Sequence, residues 1–318
     1  MKKVAALLSA LFVAFGMAVA TPPTSRADVV VPWTDQEILE AGIEAEELDA
    51  FKQYLDDQAY FESDEYVPSF PTDRSVDNSR APDSRVAILS LWHTNKRFPI
   101  PSHQFDCNAS QLDEKFFITS KACFRGNRDV IGFVWREGNH YAGIEQVFFI
   151  GDDSYDVAIV RVGGGMRNNT YYHISSDGLI MNNKYYATGF GNENGRSRNH
   201  STWARMVAFA DMPASEYGGR TGLYGLHGIN AKLDRLCVNT EKGVSIRNGD
   251  AIYGIFSGIA NYPGVTDKDC TAAILATKTN IRKSDIDHAV RTHRTTTLQE
   301  RVRAYAGVKW KQNPLRLL

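Results

Sequence analysis

Four cysteines are the residues in this 318-residue chain whose chemistry is easiest to specify. They form a near pair, Cys107 and Cys123, and a second pair far downstream, Cys237 and Cys270. Thiolates can also bind a metal, but structural zinc sites use clustered ligands such as Cys-x-x-Cys. The sequence contains no such cluster, so we expect neither a metal nor another cofactor. In an exported chain, four cysteines predict two disulfides with three possible pairings.

Histidine is the most frequent general base in enzymes, so the histidines are candidates for acid–base chemistry. Four of them that could supply a general base are His93, His103, His140 and His227. These histidines are scattered singly along the sequence and do not form a cluster. We interpret them as exposed or locally hydrogen-bonded side chains.

The N-terminus has the pattern of a secretory signal peptide. A basic start, Met1-Lys2-Lys3, precedes the apolar run Val4–Ala20, which closes on Ala18-Val19-Ala20. The alternative is a membrane anchor, but the run is short for a span, which needs about 20 residues. We expect the segment to be removed, and the protein to be secreted without membrane attachment.

Charge is distributed unevenly along the chain. Residues 34–66 contain 12 acidic residues and one basic residue, a net charge of −11, whereas residues 67–318 carry a net charge of +8. Thr34 and Glu37 have capping-box spacing, and Leu48, Phe51 and Leu55 recur at helical intervals. The sequence predicts short acidic helices that dock on the basic body through the apolar stripe. The alternative is a mobile acidic arm.

From Val86 onward, short runs rich in β-branched and aromatic residues alternate with turn residues, a pattern typical of a sandwich or barrel. The predicted strands are residues 86–91, 116–119, 146–150, 157–162, 185–188 and 251–256. Asn248-Gly249 predicts a hairpin turn before the last of them. Residues 284–290 and the basic tail are the late helical candidates.

Several of these segments match motifs of a known family in the correct order. Cys107–Leu112 and Phe117–Cys123 resemble the C-G-G-S-L-I and V-L-T-A-A-H-C motifs of trypsin-like serine proteases, with the same sixteen-residue step between the cysteines. Asp156–Val162 resembles D-I-A-L-L-K-L, Gly189-Phe190-Gly191 resembles G-W-G, and Tyr253–Gly258 resembles V-G-I-V-S-W-G. The resemblance covers residues 75–290.

The resemblance implies an all-β fold of two six-stranded β-barrels. It also implies disulfides between Cys107 and Cys123 and between Cys237 and Cys270. The expected organisation is a signal peptide (1–20), an acidic helical segment and linker (21–74), the trypsin-like domain (75–290) and a basic C-terminal extension with a helix (291–318).

The catalytic positions of the family are degenerate in this chain. The general base is replaced by Ala122 and the nucleophile by Glu241, whereas the orienting aspartate is kept as Asp156. Asn239 and Thr240 replace the glycine of the oxyanion hole and the aspartate that pairs with a freed N-terminus. Because the triad cannot operate without its base and nucleophile, the resemblance implies a protein that is not an enzyme.

Two further departures concern activation and specificity. The family's activation junction falls near Arg74, but the apolar residue and glycines that follow it are missing. The base of the specificity pocket corresponds to Arg235, which either fills the pocket or lies on a rearranged surface loop. An alternative alignment places Gly249-Asp250-Ala251 at the nucleophile motif, but it lies fourteen residues after Cys237 instead of four.

Asp156 has lost the imidazole that it would orient. Because a buried carboxylate without partners is costly, we expect it to accept hydrogen bonds from backbone amides or to be partly solvated. Asn108, Asn168 and Asn199 each begin a glycosylation sequon, a weak three-residue signal.

These observations predict a secreted, monomeric, non-catalytic serine protease homologue that binds another secreted protein. By analogy with inactive relatives it would act as an inhibitor or decoy of a hydrolase, or as a regulatory cofactor. One alternative is a basic glycan- or nucleic-acid-binding protein that uses the C-terminal tail, where Tyr305 and Trp310 could stack on a ligand. The other is a hydrolase with a rebuilt site around Glu241, Lys242 and Asp156.

Overall fold

The computed structural model describes residues 33–62, 83–92 and 104–312, except for residues 125, 137–139, 165, 169, 191, 194–195, 198–201, 231–235, 238–241 and 260–269. Several predicted features therefore lie outside the described residues. They are the signal peptide, the Arg74 junction, His93, His103, Arg235, Asn239, Thr240, Glu241 and the sequon asparagine Asn199.

The first barrel closes through antiparallel pairing in the order β1-β2-β3-β6-β5-β4. Its strands alternate inward and outward side chains, and the inward set forms a continuous apolar core around Leu89, Phe117 and Val160. The strands are β1 (Val86–Trp92), β2 (Gln104–Gln111), β3 (Phe116–Thr119), β4 (Ile131–Arg136), β5 (His140–Ile150) and β6 (Val157–Val162).

The second barrel closes in the order β14-β8-β11-β12-β17-β15, because β15 pairs back with β14. Strand β7 adds to β15 in parallel outside this ring. The remaining strands among the described residues are β7 (His173–Ile174), β8 (Lys184–Gly189), β9 (Asn192–Glu193), β10 (Arg196–Ser197), β11 (Thr202–Met212), β12 (Leu223–Gly228), β13 (Leu236–Cys237), β14 (Ser245–Asn248), β15 (Ala251–Ile259), β16 (Cys270–Thr271) and β17 (Ala273–Lys278). The expected double six-stranded barrel is confirmed.

An apolar layer joins the two barrels. Ile118 and Ile159 of the first barrel share one buried cluster with Phe190 and Ile255 of the second. Polar contacts cross the same junction: the Asn108 side-chain oxygen accepts from the backbone N–H of Phe190 at 2.6 Å. These contacts set how the two barrels lie against each other.

In the described part of the chain, four α-helices flank the barrels: α1 (Asp35–Glu40), α2 (Leu48–Glu62), α3 (Lys283–Thr292) and α4 (Leu298–Gln312). The predicted capping box starts α1. Thr34 N–H donates to a Glu37 carboxylate oxygen at 2.8 Å, and Glu37 N–H donates to Thr34 Oγ1 at 3.3 Å.

The acidic segment docks on α4 through its apolar side chains. Phe51 is fully buried and its ring lies edge-on to that of Tyr305, with centroids 5.2 Å apart. Among the described residues, the ion pair of Glu47 with Lys309 is the one that joins the segment to α4. The predicted docking is confirmed, but neutralisation of a basic face is not its basis. Eight acidic side chains instead face solvent: Asp35, Glu37, Glu40, Glu44, Glu46, Asp49, Asp56 and Asp57.

Helix α4 in turn lies directly on the first barrel. Gly143 of β5 faces the backbone of Ala304, and Gly307 of α4 faces the backbone of Gly132, so that a Cβ at either glycine would overlap main-chain atoms. This close approach explains why glycine occupies the middle of a strand and of a helix, where it is otherwise unfavourable. Residues 298–312 of the basic C-terminal extension are therefore packed on the first barrel.

A buried ion cluster fixes the same helix electrostatically. The fully buried Glu145 carboxylate of β5 lies 3.0 Å from Arg161 Nε of β6 and 3.0 Å from Arg301 Nη1 of α4. Arg161 also donates to the carbonyl oxygens of His293 and Thr295, at 2.7 and 2.8 Å. Charges removed from water are costly unless they are paired in this way.

The disulfide between Cys107 and Cys123 is present and buried, which confirms the first expected pairing. Cys237 and Cys270 are direct partners in the register of the β13–β16 ladder. Cβ atoms of opposed residues in an antiparallel pair are about 5 Å apart, close to the separation that a disulfide needs.

We therefore predict that peptide mapping without reduction will show Cys237 joined to Cys270. The bridge should add about 3–4 kcal/mol to stability in the chain-entropy model, because it closes a long loop. Recovery of a peptide that joins Cys107 to Cys237 or Cys270 would overturn both the pairing and the barrel assignment.

Candidate functional site

Two of the predicted catalytic positions, Ala122 and Asp156, lie together at the junction of the barrels, near Ser257 of the second barrel. Ala122 lies on a 3-10 turn, Lys121–Phe124, that follows β3, and Asp156 immediately precedes β6. Ser257 lies on β15 of the second barrel. The sequence placed Ala122 and Asp156 in one site, and the fold brings them together.

Asp156 has all of its expected backbone and polar partners. The Ala122 N–H donates to one carboxylate oxygen at 2.8 Å, and the Ser120 hydroxyl lies 2.9 Å from both oxygens. The residue is only 8% exposed. The prediction that a backbone amide would satisfy this carboxylate is confirmed, so Asp156 is stable without a histidine.

A further cationic partner was not anticipated from the sequence. Arg220 Nη2 lies 3.1 Å from Asp156 Oδ2, and the same nitrogen lies 3.3 Å from the carbonyl oxygen of Ser257. The Arg220 guanidinium thus connects Asp156 of the first barrel with the Ser257 carbonyl of the second. A guanidinium has no acceptor atom and is not deprotonated in proteins, so it cannot serve as a general base.

Arg220 lies on the loop between β11 and β12. Gly218 and Gly219 have φ of +64° and +81°, a region that side chains other than glycine rarely adopt. Thr221 then donates its N–H to the carbonyl of Ser154 at 3.0 Å, and the two hydroxyls are 2.9 Å apart. The loop is therefore held against the first barrel, two residues from Asp156.

Lys121 supplies another charge beside Ala122. Its ammonium donates to the backbone carbonyl of Asp152 at 2.5 Å and lies 5.4 Å from the centroid of the Phe149 ring. Burial lowers the pKa of the Lys121 ammonium. The Lys121 side chain therefore packs against β5 and the connection between β5 and β6.

Residues 249–251, which an alternative alignment places at the nucleophile motif, lie at a hairpin turn. Gly249, with φ of +58°, and Asp250 form the two-residue turn of the β14–β15 hairpin, one residue later than the predicted Asn248-Gly249 turn. The Asp250 carboxylate pairs with Arg85 at the start of the first barrel. Residues 249 and 250 therefore form a hairpin turn, and an ion pair between Asp250 and Arg85 connects it to the first barrel.

One predicted glycosylation site is wrong. Asn108 is 1% exposed, and its side-chain oxygen is engaged by Phe190, so a glycan at this residue is incompatible with the fold. The hydroxyl of Ser110 in the same sequon is buried against Ser245 at 2.8 Å. Asn168 is half-buried and its amide nitrogen donates to the Ser84 hydroxyl at 3.0 Å.

The described part of the chain holds no group of three or more histidine, cysteine, aspartate or glutamate side chains that could bind a metal ion. No described helix is both long and apolar enough to cross a membrane.

The two closed barrels have the double-barrel fold of trypsin-like serine proteases. No protein-family model matches the sequence, and no curated protein matches it. Among solved structures, the chain is similar to the scabies mite inactivated protease paralogue S-D1, with 9% identity, a TM-score of 0.51, and coverage of 67% of this chain and 95% of that one. HL collagenase is similar at 14% identity and a TM-score of 0.50, covering 70% and 100% of the two chains.

Proposed function

We propose that this protein is a secreted, non-catalytic homologue of trypsin-like serine proteases that binds another secreted protein through the former substrate cleft. The observation that carries the proposal is the environment of Asp156. The carboxylate that would orient a catalytic histidine instead accepts from Ser120, the Ala122 amide and Arg220.

The loss of catalysis follows from the chemistry of the replaced positions. Alanine at position 122 cannot take a proton from a nucleophile. Removal of the base or nucleophile of a serine protease triad lowers turnover by about 10⁶-fold. Arg220 adds a second obstacle, because its guanidinium bridges Asp156 and the Ser257 carbonyl across the cleft.

The loop that carries Arg220 has the properties of a protein-binding surface. Binding residues are most often carried on loops that a rigid scaffold positions. Here the loop with Arg220 is fixed by hydrogen bonds between Thr221 and Ser154, so a partner would meet a preorganised surface. Arg220 itself is part-exposed, and arginine is enriched at the energetic centres of protein interfaces. The role of inhibitor, decoy or regulatory cofactor then depends on which partner binds.

The basic tail gives little support to the glycan- or nucleic-acid-binding alternative. Free lysines and arginines are needed to neutralise phosphates or sulfates. Five of the seven basic residues in 291–318 are instead engaged within the chain: Arg294, Arg301, Arg303, Lys309 and Lys311.

Secretion is supported by two independent features. The N-terminal sequence has the pattern of a signal peptide. The buried Cys107–Cys123 disulfide is of a kind that forms and persists in oxidising compartments.

The proposal is tested by capture from extracellular fluid with three baits: the mature wild type, Arg220→Ala in the cleft and Arg291→Ala on the exposed face of α3. We expect the wild type and Arg291→Ala to retain the same protein, and Arg220→Ala to retain at least tenfold less. Equal retention by all three would exclude the cleft as the binding surface. A captured polysaccharide or nucleic acid would instead support the alternative.

A further inference from the structure

Three aromatic side chains of the first barrel converge on one cation. The Lys311 ammonium lies 4.4 Å from the centroid of the Tyr141 ring, 5.6 Å from that of Phe133 and 5.7 Å from that of Trp135. A single ring within about 6 Å already attracts a cation through its negative face. Three rings around one nitrogen make an aromatic cage.

The cage is built on rigid elements. Trp135 of β4 and Tyr141 of β5 are direct partners in the strand register, and Phe133 lies two residues before Trp135 on the same face of β4. The Phe133 and Tyr141 rings are in edge contact, with centroids 6.5 Å apart at 71°. Trp135 is supported from behind by Phe190, at 5.5 Å. The rings therefore hold their arrangement through strand pairing and mutual packing.

Lys311 is held by these rings rather than by a carboxylate. Among the described residues no ion pair is formed by its ammonium, whereas Lys309 pairs with Glu47. Burial lowers the pKa of the Lys311 ammonium. A lysine ammonium is compact and strongly hydrated, so its transfer into a partly desolvated cage is unfavourable.

A quaternary ammonium group suits such a site better than lysine does. Its methyl groups fill the space between rings and its charge is spread and weakly hydrated, which is why aromatic cages recognise choline and methylated lysine. Lys311 lies in the last turn of α4, where the final carbonyls lack helical partners and opening is least costly.

We propose that Phe133, Trp135 and Tyr141 form a binding site for a quaternary ammonium group, which Lys311 occupies in the absence of ligand. The site is distinct from the cleft around Asp156, and the inference does not depend on the function proposed for that cleft. Lys311 acts as an internal competitor, so its removal raises the fraction of open cage and with it the apparent affinity.

The test is calorimetric titration of tetramethylammonium, phosphocholine and a trimethyl-lysine peptide into wild type, Lys311→Met, and Lys311→Met with Tyr141→Leu. The methionine keeps the apolar stem, and the leucine keeps apolar volume while it removes one ring face. We expect Lys311→Met to bind tetramethylammonium at least tenfold more tightly than the wild type, and the double variant to lose that gain. The tighter of the other two ligands identifies the source of the ammonium group.

A neutral isostere, 3,3-dimethyl-1-butanol, separates recognition of charge from simple apolar filling. In a parallel titration with choline, whose shape it shares, the isostere should bind Lys311→Met at least tenfold more weakly than choline. The proposal is overturned if the isostere binds equally well, if Lys311→Met binds tetramethylammonium no better than the wild type, or if Tyr141→Leu leaves binding unchanged. Circular dichroism of each variant verifies the fold.

Discussion

Glu145→Ala is expected to lower the free energy of unfolding by about 3–5 kcal/mol, because it leaves two buried guanidinium groups without their shared carboxylate. Arg161 and Arg301 are 1% and 6% exposed, so water cannot replace the lost partner without opening the structure. The Thr296 hydroxyl, which donates to Glu145 Oε2 at 2.9 Å, would lose its acceptor as well. Denaturant unfolding measures the change.

The matched controls are Glu145→Gln and Glu40→Ala. Glutamine keeps the shape and one acceptor oxygen but not the charge, so its cost should fall between those of the other two variants. Glu40 is an exposed helical residue that accepts from Gln36, and its loss should change stability by no more than about 0.5 kcal/mol. Equal stabilities for Glu145→Ala and Glu40→Ala would show that the cluster does not hold α4 in place.

Catalytic silence is the second expected result. The mature chain should not be labelled by a fluorophosphonate probe and should not cleave protein substrates under conditions in which an active trypsin-like protease does both. Its rate should lie about 10⁶-fold below that of an intact triad. Stoichiometric labelling of any serine would contradict the proposed function.

Restoring the two missing side chains should not be enough. Ala122→His with Glu241→Ser supplies a base and a nucleophile, but Arg220 still occupies the Asp156 carboxylate. Adding Arg220→Ala to that pair should increase labelling over the double variant. Full activity is not expected, because Asn239 and Thr240 remain at positions that the family uses for the oxyanion hole and activation. Strong labelling of the double variant with Arg220 intact would show that the arginine is no obstacle.

The features that the sequence predicted correctly are those determined by local residue patterns and by motif spacing. Strand β6 spans residues 157–162 as its run of β-branched residues indicates, and the capping box begins α1 at Asp35. The sixteen-residue cysteine step, read through the family resemblance, predicted the Cys107–Cys123 bridge. Asp156 keeps the amide partner that a buried carboxylate requires.

What the sequence did not predict depends on contacts between distant segments. Nothing in the Gly218-Gly219-Arg220 pattern relates position 220 to position 156, because the approach of that loop is set by how the two barrels pack. The burial of Asn108 against Phe190 is likewise a contact between barrels, and a sequon motif contains no information about it. The close approach of α4 depends on glycines in separate elements that become neighbours only in the folded domain.

The packing of α2 against α4 also constrains the order of events during synthesis. Glu47 and Lys309, which pair across this contact, are 262 residues apart in sequence. Helix α2 leaves the ribosome early and therefore cannot bury its apolar face against α4 until residues 298–312 have been made. Contacts of such high sequence separation form late, because a long loop must close before they contribute. During that interval Phe51 and its neighbours are available to chaperones, and a chain truncated before α4 would leave them exposed.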